Sequence, residues 1–380
     1  MSSVSGLENV IAAQTKLSHV DGQAGELIIA GYPLEELAPN ATYEQSLYLL
    51  WNGVLPNPQQ LNELKENLRQ HLDLPEITRY VLKEAARAKL PPMDALRMAI
   101  STLAVVDLQP QSDSLEANRN RAILIVAKAP VIVGNYWRLR QGQEMLAPNP
   151  ELGQAGQFLY LVHGKEPDPE FVRALDTYWS TVIDHGLNAS TFTARVITST
   201  LSDIFSAITG AIGALKGPLH GGAPGPALDM VFEIGTPEQA EPHLRQKLVD
   251  GARLMGFGHR IYKVRDPRAD VLAAAAERLF ERAGDRSLYD LARSVEQTAL
   301  KLLEEFKPGR HLETNVEFYT ALVLHGIGLK PDLFSAVFAV GRMGGWIAHV
   351  FEQLEHNRLI RPQSEYVGPT GRTWSNSSAV

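Results

Sequence analysis

Three histidines, one carboxylate and several arginines stand in this sequence beside glycines and prolines, where backbone shape can hold an ionisable side chain still. His220 lies within Gly217 to Pro226 (GPLHGGAPGP), ten residues that include four Gly and three Pro. Gly is entropically costly in a helix and Pro has no N–H to donate, so the stretch is a shaped loop. It follows an apolar run, Ile204 to Leu215, that reads as a buried helix. A loop ending a packed helix would place His220 rigidly, as chemistry requires, although a tight interhelical turn with a hydrogen-bonded His fits equally well. His259 lies in GFGHRIYKVRDPR, Gly256 to Arg268, where four cationic side chains face one Asp. That density beside a Gly loop suggests an anion site, since guanidinium groups grip carboxylate or phosphate bidentately; a solvated charged face is the alternative.

Three further segments carry ionisable groups. In DHGLNASTFTAR, Asp184 to Arg195, the residues His185, Asn188, Phe192 and Arg195 recur at near-helical spacing and can share a face, or form an ordinary polar helix surface. Glu317 in TNVEFYT is either a surface residue of an amphipathic helix, which the segment alone favours, or a desolvated base with a raised pKa. Small residues around Arg342 in GRMGGWIAHVFEQ permit close helix packing, and a charge there would need an anionic partner. Arg361 follows in IRPQSEYVGP.

The sequence has no cysteine, which excludes disulfides, thiol nucleophiles and thiolate metal sites. It has no G-x-S-x-G elbow and no G-x-G-x-x-G after a strand. His185, His220 and His259 are far apart, without an H-x-x-x-H pair, so no metal site is expected. The set is better suited to proton transfer on a carboxylate-bearing substrate. A formal charge of −7 gives no global reason to bind nucleic acid or an acidic membrane. No signal or transit pattern opens the chain, and no apolar run approaches the roughly 20 residues of a membrane span, so a cytoplasmic protein is expected.

The elements that must position these residues are almost all helical. Gly25 to Gly31 reads as a short β-like segment. Thr42 and Gln45 form a capping box for a helix that Gly53 stops, and Pro58 opens the next. Helices are expected over Pro92 to Val106, Leu115 to Arg140 (kinked or divided by Pro130), Glu151 to His163, and Asp168 to Asp203 with a break near Gly186. Beyond the Gly217 loop they are expected over Pro242 to Met255, Pro267 to Arg282, Arg286 to Phe306, Val316 to Leu324 and Asp332 to His356. Arg361 to Val380 turns polar and should be an extended arm.

Taken together, GPLHGGA, GFGHRIYKVRDPR, NVEFY, GRMGGWIAH and RPQSEYVGP resemble the citrate synthase family in order and approximate spacing, from about Asn9 to Pro369. The resemblance implies an all-α fold with a large domain, residues 1–221 and 329–380, and a smaller mobile domain, 222–328, that closes over the substrates. It implies condensation of acetyl-CoA with oxaloacetate, then hydrolysis of the citryl thioester, with no tightly bound cofactor. By the same similarity His220 donates to the enolate of the thioester, His259 polarises the ketone, and Glu317 removes the methyl proton. His185, Arg268 and Arg342 match the pocket for the oxaloacetate carboxylates with Asn188 beside them, and Arg361 matches an arginine contributed across a homodimer interface. Lys263 matches a basic residue near the coenzyme A phosphate, with Gly256, Phe257, Gly258 and Asn315 bordering that ligand.

Two departures stand out. The family's base is usually Asp, so Glu317 adds a methylene, roughly 1.5 Å of reach, where a misplacement of about 1 Å can cost around a hundredfold in rate. Ile29 and Ala30 stand where the family often has Tyr-Arg. The likeness is to the type without an N-terminal NADH-regulatory extension, and that regulation is not expected. The alternatives are 2-methylcitrate synthase acting on propionyl-CoA and a weakly active homologue kept as an oligomeric scaffold.

Overall fold

The computed structural model describes residues 5–7, 10–109, 112, 114–221 and 225–372. Near the start, β1 (Ser18–Asp21), β2 (Glu26–Ile29) and β3 (Tyr32–Pro33) form an antiparallel sheet in that order, with Ser18 opposite Ile29 and Asp21 opposite Glu26. Period-two alternation turns Leu27 and Ile29 inward, and both are buried.

Helices dominate thereafter. In chain order they are α1 (Leu34–Leu37), α2 (Tyr43–Asn52), α3 (Pro58–Arg69), α4 (Glu76–Arg87), α5 (Pro92–Thr102), α6 (Leu115–Arg140), α7 (Gln154–His163) and α8 (Pro169–Val182). They continue with α9 (Ala189–Ser199), α10 (Ile204–Leu215), α11 (Gly225–Ile234), α12 (Pro237–Val249), α13 (Pro267–Ala283), α14 (Ser287–Phe306), α15 (Val316–Gly326) and α16 (Phe334–Glu355). The fold is therefore the helical one expected, with a single small sheet among the described residues.

Local chemistry explains many boundaries. Thr42 and Gln45 exchange both capping-box hydrogen bonds at the start of α2, and Gly53 ends it in the left-handed conformation at φ 76°. Three expectations shift. α6 runs on as one helix through Pro130, because its core-packed flanks outweigh the lost backbone bond. α12 starts at Pro237, not Pro242, since Pro237 takes the first helical position, where no N–H is needed. α11 already contains Gly225 and Pro226, so the His220 loop ends earlier than its composition suggests. Residues 222–224 of that loop, and with them the expected domain boundary, lie outside the described residues.

Leu115–Arg140 and Pro331–Glu355 are long and apolar enough to cross a membrane by length and composition, yet their most apolar windows are 78% and 89% buried inside the protein. They are core helices. α16 packs against α8 through Gly341 and against the chain just after α8 through Gly344 and Gly345; a Cβ on Gly345 would lie 2.0 Å from the Ile183 carbonyl oxygen. The backbones can meet this closely only without side chains.

Candidate active site

Three helix starts are built alike. An Asx residue caps each one, and the second helical residue carries a polar side chain: Asn188 then Ser190 in α9, Asp266 then Arg268 in α13, Asn315 then Glu317 in α15. Asn188 Oδ1 accepts from Thr191 N–H and lies 2.8 Å from Ser190 Oγ, so Asn188 is committed to capping. Ser190 in turn sets His220. Its N–H donates to His220 Nε2 at 3.2 Å, its Oγ is 2.8 Å from that nitrogen, and Trp346 Nε1–H donates to the same Oγ at 3.1 Å. A backbone donor at Nε2 leaves the ring proton of neutral His220 on Nδ1. Burial, helped by the charge on Arg342, lowers its pKa to about 4, so the ring is neutral at physiological pH.

His259 is fixed by the opposite device. The N–H groups of Ile261 and Tyr262 donate to its Nδ1 at 3.1 and 3.2 Å, which puts the proton of the neutral ring on Nε2. Burial and the adjacent Arg268 hold its pKa down at about 4. Arg268 Nη2 lies 3.3 Å from Nε2, so two donors converge on one spot, as they would on an oxygen acceptor. His185 stands across from them, its ring 5.7 Å from His259 and its Nε2 3.1 Å from Tyr262 Oη. Burial first, then Arg268 and Arg342, keep it well below the ordinary histidine range.

Two buried arginines supply the charge. Arg268 is gripped by Asp266, whose carboxylate also accepts from Val316 N–H and so ties the starts of α13 and α15 together. Burial disfavours the Arg268 cation, but Asp266 outweighs it and the pKa is raised. Arg342 has no ion-pair partner among the described residues; its Nε donates to the Val182 carbonyl and its guanidinium lies 4.6 Å from the Phe338 ring centroid. Burial, together with Arg268, lowers it to about 10. Two buried cations, of which only Arg268 is ion-paired, make a site for an anion.

Glu317 borders this charge. Burial raises its carboxyl to about 7, and Arg268 opposes that only in part. Asn315 accepts from Glu317 N–H and donates to the Gly258 carbonyl at 2.8 Å, while its own N–H donates to the Gly256 carbonyl. The turn Gly256, Phe257, Gly258 is thereby stitched to the start of α15. Gly256, at φ 87°, leaves no room for a Cβ beside Phe318, on whose ring Phe257 packs at 5.3 Å. Among the described residues no group of three or more His, Cys, Asp or Glu is placed to hold a metal ion.

The family model for the citrate synthase C-terminal domain matches residues 6–363. The chain belongs to the citrate synthase family. It is 42% identical over 369 residues to a Bacillus subtilis protein named citrate synthase 2, with 97% of each chain covered. A Mycobacterium tuberculosis protein named 2-methylcitrate synthase is 39% identical over 368 residues, covering 96% of this chain and 90% of that one. The structure of Thermoplasma acidophilum citrate synthase in a ternary complex with carboxymethyl coenzyme A and oxaloacetate superposes with a TM-score of 0.89 at 32% identity, covering 97% of each chain.

Of the residues that the citrate synthase resemblance singles out, His185, His220, His259, Arg268, Glu317 and Arg342 form one electrostatically connected cluster. Lys263 is exposed, its Nζ 3.3 Å from the Arg260 carbonyl. Arg361 is exposed on the irregular segment after α16. Sequence reasoning did not single out Ser190, Asp266 or Tyr262. Asp266 carried a signal, since Asp-Pro at a helix start marks a cap; Ser190 had only its place two residues after Asn188.

Proposed function

We propose that this protein condenses acetyl-CoA with oxaloacetate and hydrolyses the citryl thioester to citrate and CoA, in a homodimer in the cytoplasm. The citrate synthase family uses acetyl-CoA as substrate. The observation that carries the reading is a buried arginine pair beside two neutral histidines of opposite tautomer and a carboxyl titrating near neutrality. Arg268, Arg342 and His185 hold the oxaloacetate carboxylates, with Arg361 of a second subunit. His259 Nε2–H and Arg268 meet the ketone oxygen. Glu317 takes a methyl proton from the thioester while His220 Nδ1–H donates to the developing enolate oxygen. The enolate carbon then bonds to the ketone carbon, the alkoxide receives a proton from the His259 side, and water cleaves the thioester. Lys263 and the Gly256 turn border coenzyme A.

The large domain, 1–221 and 329–380, carries His185, His220 and Arg342, and the small domain, 222–328, carries His259, Arg268 and Glu317. Closing one on the other would assemble the constellation and exclude water. Release of CoA thiol with oxaloacetate plus acetyl-CoA tests the proposal, and the cysteine-free protein adds no thiol background. Preference for propionyl-CoA would move the activity to the 2-methylcitrate branch, a choice resting on one methylene, about 1–3 kcal/mol. No release with either thioester would favour the scaffold reading.

A further inference from the structure

We propose that the turn of the β1–β2 hairpin, Asp21–Gly25, is a positioning element for His259, an inference that rests on the reading of His259 given above. Three successive N–H groups hold the His259 loop. Those of Ile261 and Tyr262 go to the imidazole itself, and the next, Lys263 N–H, goes to the Gly22 carbonyl at 2.8 Å. Gly22 lies so close that a Cβ would stand 2.3 Å from the Ile261 carbonyl oxygen, and a Cβ on Gly25 would stand 2.8 Å from Val264 Cγ2.

The hairpin is a firm base for this contact. Leu27 and Ile29 bury its inner face, and Asp21 Oδ1 stiffens the turn by accepting from Gln23 and Ala24 N–H at 2.8 and 2.9 Å. Its first strand touches the other side of the site. Ser18 Oγ accepts from Gly186 N–H at 2.9 Å and donates to Asp184 Oδ2 at 2.5 Å, on either side of His185. One hairpin thus touches the segment carrying His185 and the loop carrying His259, whose rings face each other at 5.7 Å. In the proposed division into domains, the Gly22 and Gly25 contacts cross the boundary. The hairpin turn sets how far His259 stands from His185 and Arg342 when the domains meet.

The Gly25–Val264 contact allows a methyl to be moved across the interface. Gly25→Ala crowds Val264, Val264→Ala loosens the contact, and the double variant roughly conserves volume. The expected result is an oxaloacetate KM raised about tenfold in Gly25→Ala and about threefold in Val264→Ala. The double variant should return to within about threefold of wild type, with the acetyl-CoA KM nearly constant throughout. Strain from the positive φ of Gly25 is common to the single and double variants, so it does not enter the rescue. Val264 is 39% exposed, so its truncation keeps the fold even if Gly25→Ala does not. Unchanged oxaloacetate kinetics in Val264→Ala, or a Gly25→Ala defect that the second change does not relieve, would overturn the proposal. Wild-type protein without oxaloacetate-dependent CoA release would instead sink the functional reading. The positioning would then be read from the His259 imidazole nitrogen resonances, which should move in Gly25→Ala and return in the double variant; resonances that stay put overturn it.

Discussion

Glu317 is where burial decides the chemistry. Its carboxyl is held at about 7 because desolvation outweighs the pull of Arg268, whereas His220 and His259 sit at about 4 and stay neutral above pH 5. The base must be ionised, so activity rises with pH, and about one unit below its pKa only about a tenth of the sites are competent. kcat/KM is expected to fall about tenfold per unit below pH 7, with one ionisation on the acid limb. A pH–rate profile checks this, and a midpoint near 4.5 would refute a desolvated base. Glu317→Gln should lower kcat by about a thousandfold or more with little change in the oxaloacetate KM, measured by CoA release. The ionisable residues were legible in the sequence because histidine, arginine and glycine stand together in short segments. The burial that tunes them was not, since TNVEFYT alone favours an exposed Glu317. Ser190 stayed hidden because its task depends on a loop 30 residues away.

At the scale of elements, the site is made of helix starts. The capped beginnings of α9, α13 and α15 carry Ser190, Arg268 and Glu317, and side chains already take their first N–H groups: His220 that of Ser190, Asp266 those of Arg268 and Val316, Asn315 that of Glu317. Ser190→Ala removes the hydroxyl beside His220 and the acceptor of Trp346 Nε1–H but leaves the backbone donor, so kcat should fall about 10- to 100-fold while the melting temperature drops by only a few degrees. Calorimetry beside steady-state kinetics separates that from misfolding. A second junction, between α2, α7 and α8, buries Glu44 and Asp176. Glu44 accepts from Gln154 N–H and Asp176 from Tyr43 N–H, and burial, then Glu44, raise Asp176 well above the ordinary carboxylate range. A raised carboxyl binds its proton more tightly folded than unfolded, so its ionisation weakens the fold above the ordinary range. Asp176→Asn should therefore melt higher than wild type at pH 8, with the advantage shrinking toward pH 4. Caps such as Thr42 with Gln45 and Asp266-Pro267 made several boundaries readable. α4 passed unread because Pro75 offers no polar cap, and α6 was expected to kink or divide at Pro130 because core packing leaves no local mark.

At the scale of the whole molecule, Arg361 is exposed whereas the arginines of the reactive cluster are buried. If Arg361 serves the site of a second subunit, two dead variants can rescue each other. In a hybrid of Arg361→Ala with Glu317→Ala, one site keeps both its own Glu317 and its neighbour's Arg361, and the other has neither. Mixing the two after dissociation should restore about half the wild-type activity per hybrid dimer. Recovery no greater than the sum of the parents would place Arg361 outside the site. The helical class was legible from periodicity, but neither the meeting of the hairpin with the His259 loop nor any subunit pairing leaves a local pattern.

The arginine pair has a practical consequence. Arg268 and Arg342 are nearly fully buried and disfavour one another, and Asp266 is the carboxylate that answers the first. Any small dianion reaching them relieves that repulsion, so sulfate or phosphate in a buffer should raise the melting temperature and compete with oxaloacetate. At a hundred times its dissociation constant such an ion would add about 2.7 kcal/mol. Apparent substrate affinities for this protein are therefore comparable only between solutions of matched anion content.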